Sequence, residues 1–64
     1  MFQLTAVCFD AEYAYAEAES FEYALEELRE SVAESSNMYP KSMSTLIVLE
    51  PSGHRSECKL SMYI

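Results

Sequence analysis

Glycine is nearly absent from this chain: Gly53 is the only one in 64 residues. Loops that cradle phosphates need several glycines so that backbone amides can approach the ligand, so a nucleotide-binding loop is excluded. Tryptophan is missing, and no apolar run approaches the 18 or so residues of a membrane-spanning helix. Bases are also scarce, four Lys and Arg against eleven Asp and Glu, for a net charge of -7. Direct binding to nucleic acid or to an anionic membrane draws on clustered Lys and Arg, so neither is expected.

Cys8 and Cys58 are the only cysteines and show no CxxC spacing, which argues against a redox motif or a zinc knuckle. Both are expected as small buried thiols, with a disulfide between the first and last strands as the alternative. The one histidine, His54, follows Gly53 and reads as a solvated loop residue. Nucleophilic catalysis needs a base oriented by a third group, and no such constellation is present. The acidic stretch has no turn glycine among closely spaced oxygen ligands, so a calcium loop is unsupported. A non-enzymatic protein with no cofactor and no metal is therefore expected. Met1 to Phe9 has neither a basic start nor an apolar stretch followed by a small-residue cleavage site, so a cytoplasmic location is expected.

What is present is enough to fold. Half the residues are hydrophobic, and 64 residues suit one small domain, 1–64. Phe2 to Phe9 is rich in β-branched and aromatic residues and reads as a strand ending at Asp10. Phe21 to Glu34 carries Phe21, Ala24, Leu25, Leu28 and Val32 at helical spacing, with Ser20 as N-cap. The polar segment Ser35 to Ser42 contains Pro40 and breaks the helix. Thr45 to Leu49 is a continuous apolar run of the kind found in a central strand buried on both faces. Pro51-Ser52-Gly53 makes a turn. Cys58 to Ile64 alternates, with Cys58, Leu60, Met62 and Ile64 on one side and Lys59, Ser61 and Tyr63 on the other.

Ala11 to Glu19 fits two periods. As a helix it would extend the later one backwards from Asp10 with a stripe through Ala14, Ala18 and Phe21. As a strand it places Tyr13, Tyr15 and Glu17 on one face and Ala14, Ala16 and Ala18 on the other. A helix from Ala11 to Glu34 would run about 36 Å and overhang strands of about 23 Å. The strand is favoured, giving an α+β fold, ββαββ with an antiparallel sheet and one amphipathic helix on one face. The alternative is βαββ with a long helix.

The run from Tyr13 to Leu28, an alternating strand followed by a Ser-capped amphipathic helix, resembles small phage-encoded inhibitors of host enzymes, of the bacteriophage T7 RNA polymerase inhibitor and anti-CRISPR kinds. The resemblance covers about a quarter of the chain and assigns no residue a role. It implies a phage or mobile-element inhibitor that occupies a surface on a host enzyme.

The charge is local. Residues 1–40 hold nine acids against the single base Arg29, a net of -8, whereas residues 41–64 hold two acids and three bases. Glu22, Glu26, Glu30 and Glu34 recur every four residues, a row spaced by about 6 Å opposite the apolar stripe. Such a row is a solubilising face, a decoy for a phosphate strand shown to a basic groove, or a match for a basic protein patch that is not a nucleic-acid groove. If the alanines of the second strand face the helix, Tyr13 and Tyr15 lie on the open side of the sheet, where Phe9, Val7 and Tyr63 are expected to join them. The expected partner-binding set is Tyr13, Tyr15, Glu17, Glu19, Glu22, Glu26, Glu30 and Tyr63. Its expected partner is a basic host protein, one that handles DNA or RNA. The alternative is a structural or regulatory homodimer that buries the open aromatic face against itself.

Overall fold

The computed structural model describes every residue from Met1 to Ile64. Four strands, β1 (Phe2–Cys8), β2 (Ala11–Ala18), β3 (Thr45–Leu49) and β4 (Arg55–Lys59), form one antiparallel sheet in the order β2-β1-β3-β4. One helix, α1 (Phe21–Glu34), connects β2 to the second half of the chain. The fold is α+β with the ββαββ layout, and Ala11 to Ala18 is strand.

The β1–β2 hairpin closes in two residues, and Phe9 and Asp10 both have positive φ, 53° and 65°. Positive φ at both turn positions matches the right-handed twist of the strands, but neither residue is a glycine, so the turn carries backbone strain. After β2, Ser20 keeps extended geometry and its hydroxyl accepts from the Tyr23 amide at 3.2 Å, satisfying a first-turn donor. The β3–β4 turn uses Gly53 at φ 95°, with its amide donating to the Glu50 carbonyl.

The core follows from the alternation of the strands. Leu4, Ala6 and Cys8 of β1, Ala14 and Ala16 of β2, and Leu46 and Val48 of β3 are buried on one face. Ala24, Leu28 and Val32 of α1 pack onto that face. Ala6, Ala14 and Ala16 are sheet alanines in this core, which let the helix approach the β1–β2 half closely.

Two expectations change here. Thr45 to Leu49 is central in the sheet but buried on one face only: Thr45, Ile47 and Leu49 are half-exposed on the uncovered side. The last strand is Arg55–Lys59, and Leu60–Met62 forms a 3₁₀ turn. The cause is the partner: β3 begins at Thr45, which pairs with Lys59, so beyond Lys59 no ladder remains except the Leu60 amide on the Ser44 carbonyl. By turning there, the chain buries Leu60 and packs Ile64 against the core. Met62 is left exposed.

The cysteines are free. Both lie on the covered side, but β3 runs between β1 and β4, so their backbones are separated by two strand spacings, about 9.6 Å. A disulfide spans at most about 7 Å between Cα atoms, which excludes the disulfide alternative in this fold.

Candidate functional site

The outer face of α1 is the acidic surface. Glu22, Glu26, Glu27, Glu30 and Glu34 are all exposed, and none is in an ion pair, because the one salt bridge in the chain joins Arg55 to Glu57 at 2.7 Å. Arg29, the only base on the helix, borders a depression with Glu22 and Glu26 without an ion pair to either and donates to the Tyr63 carbonyl at 3.4 Å. Glu19 is exposed in the connection just before the helix. Glu22 is favoured by the positive end of the helix dipole, whereas Glu34 stands at the negative end with no basic residue in the last turn.

Tyr23 also belongs to this face, outside the partner-binding set expected from the sequence. It is 68% exposed and borders a shallow depression with Glu26, Glu27 and Glu30. The signal was the spacing: positions three, four and seven residues after Tyr23 are all glutamates, so on a helix they flank its ring.

The uncovered sheet face points the opposite way, since α1 occupies the other side. Register places its side chains in three rows across the sheet. Glu17, Gln3, Leu49 and Arg55 form the first row, Tyr15, Thr5, Ile47 and Glu57 the second, and Glu12, Val7, Thr45 and Lys59 the third. The two middle strands supply a half-exposed apolar and threonine surface, while the β2 edge is acidic and the β4 edge carries both bases. Tyr15 donates its hydroxyl to Glu17 at 3.2 Å. Partial loss of water around its phenol, and then the charge and acceptor oxygen of Glu17, raise its pKa above the usual tyrosine value.

Of the eight residues expected to form one site, four (Glu19, Glu22, Glu26 and Glu30) lie on the helix side, and Tyr15 and Glu17 lie on the open sheet face. Tyr13 and Tyr63 belong neither to the acidic outer face of the helix nor to the open sheet face. The register of β1 against β2 shifts between Ala6 and Val7, leaving Tyr13 unpaired between Glu12 and Ala14. A bulge of this kind re-aims a side chain. Tyr13 packs against the core, stacks on Tyr39 at 4.6 Å between ring centres and shares a 2.7 Å hydrogen bond with the buried Ser44 hydroxyl. Ser44 in turn donates to the Pro40 carbonyl at 2.9 Å. Tyr63 follows the 3₁₀ turn onto the covered side, where its ring meets Phe21 edge-on at 5.4 Å.

No group of three His, Cys, Asp or Glu side chains is placed to hold a metal ion, and no helix is long and apolar enough to cross a membrane. Comparison with protein families, curated proteins and solved structures finds no significant match to this chain.

Proposed function

We propose that this chain is a non-enzymatic acidic interaction protein of phage or mobile-element type. It acts in the host cytoplasm by binding a basic surface on a protein that handles DNA or RNA. The observation that carries the reading is the α1 outer face, which presents five exposed carboxylates without a single cationic neighbour in bonding range. Charges repeated every 6 Å or so on a rigid rod present a groove lined with Lys and Arg with a potential like that of a phosphate strand. Tyr23 adds a rigid, amphipathic ring inside the charged patch, the residue type that anchors interfaces. The carboxylates steer approach and the ring holds the complex.

The test is the association rate with a captured host partner, measured against ionic strength for the natural chain and for Glu22→Gln, Glu26→Gln and Glu30→Gln combined. Steering by these carboxylates makes the natural rate fall steeply with salt and leaves the variant slow and nearly salt-independent. Equal rates and equal salt slopes would remove the helix from the interface.

A further inference from the structure

The geometry points to the uncovered sheet face as a self-complementary interface: a second copy of this chain packs on it with the two sets of strands aligned. This rests on observations separate from the helix carboxylates. The two middle strands present Thr5, Val7, Thr45, Ile47 and Leu49 to solvent, all half-exposed with no layer above them. An uncovered apolar surface bordered by charge is the composition of an interface.

The charges select the partner and its orientation. A two-fold axis parallel to the strands, lying between two facing sheets, sets the β2 edge of one copy over the β4 edge of the other, row against the same row. Glu17 then faces the partner's Arg55, Glu12 faces the partner's Lys59 and Tyr15 faces the partner's Glu57. Each contact occurs twice by symmetry. In the middle of the face Thr5 meets the partner's Ile47, and Val7 meets the partner's Thr45. An axis across the strands instead sets Glu17 over Glu12, Arg55 over Lys59 and Glu57 over Glu57, like charges throughout. Only the first arrangement is complementary.

Forming it requires the Arg55–Glu57 pair and the Tyr15–Glu17 hydrogen bond to open or be shared. Both side chains of the ion pair are about half-exposed, 56% and 52%, so the contact is worth little and yields readily. Strand spacing and rise give a patch of about 400 Å² in the flat on each copy, below the size of stable specific interfaces, so the dimer is a weak, reversible one.

The test is sedimentation equilibrium at low salt on five samples. The natural chain is expected to dimerise reversibly. Arg55→Glu with Lys59→Glu, and separately Glu12→Lys with Glu17→Lys, change only exposed side chains, and each is expected to weaken self-association by about 100-fold or more. An equimolar mixture of the two variants is expected to dimerise again, because each supplies the charge the other lacks. Generic attraction cannot restore it: the chain starts at -7 and each double reversal moves it by four, so both variants stay net negative. A natural chain that stays monomeric at its highest soluble concentration would overturn the proposal. So would a dimer indifferent to the reversals, or a mixture that remains monomeric. The triple Glu-to-Gln helix variant dimerises like the natural chain, so failure of the helix reading and failure of this one are told apart.

Discussion

Replacing Glu26 and Glu30 by Gln should make this protein more stable while weakening its association with a basic partner. In α1, Glu22, Glu26, Glu30 and Glu34 stack at intervals of four, giving three like-charge neighbour pairs, all exposed and without an opposing cation. Each such pair destabilises a helix by about 0.2–0.5 kcal/mol, and the two substitutions remove all three, a gain of about 0.6–1.5 kcal/mol. Gln and Glu have nearly equal helix propensity, so the change isolates charge. Glu22 is left in place because the dipole favours it there. For a domain of this size the gain corresponds to a rise in Tm of about 3–10 °C. Thermal melts followed by circular dichroism at low salt read it directly. At 1 M salt the screening length of about 3 Å is shorter than the spacing of the row, so the gain should nearly vanish. A Tm that is unchanged or lowered at low salt would refute the reasoning, because the carboxylates would then be placed to stabilise the fold. A stabilising substitution that costs association is the signature of residues kept for binding.

Other outcomes follow from the same structure. Leu28→Ala should cost about 3 kcal/mol or more, because Leu28 is fully buried, and against a total of about 3–10 kcal/mol for a chain this long it should leave much of the protein unfolded in urea titrations. Ser44→Ala should cost about 1–2 kcal/mol and Tyr13→Phe about 1 kcal/mol, with the double variant costing less than the sum, since the two hydroxyls share one 2.7 Å bond. The Tyr15 phenol should titrate above 10.0, followed by ultraviolet absorbance. Its contribution to stability is present below that value and lost as pH rises through the raised pKa, and Glu17→Gln should lower that pKa. Cys58 should react with a thiol reagent in the native protein, whereas Cys8, 1% exposed, should react only on unfolding.

Much of the fold was legible because local signals agreed with one another. The Ser20 cap, the three-and-four spacing of Ala24, Leu28 and Val32, and the alternation of alanines in β2 each pointed to the element that formed. The acidic row was equally readable, since helical geometry alone puts Glu22, Glu26 and Glu30 in line. The misplacements of Tyr13 and Tyr63 have one kind of cause: strand alternation assumes an unbroken ladder. At Tyr13 an extra residue enters β2 and the parity of the strand is lost, so the ring goes to Ser44 and Tyr39. At Leu60 the ladder ends because β3 has no residue before Thr45 to pair, and Tyr63 goes to Phe21. Both depend on register against a neighbour strand, which no local pattern encodes. Tyr23 was within reach, but only by reading aromatic and acidic residues on the same helix together.

The most direct test of the acidic face as a mimic of a phosphate strand is competition with DNA. Proteins captured from a bacterial lysate on the immobilised chain at low salt are challenged with duplex DNA. The expected result is a captured nucleic-acid-binding protein that DNA releases and that the triple Glu22, Glu26, Glu30 to Gln chain fails to hold. Capture that DNA leaves untouched, or that the Gln chain reproduces in full, would contradict it.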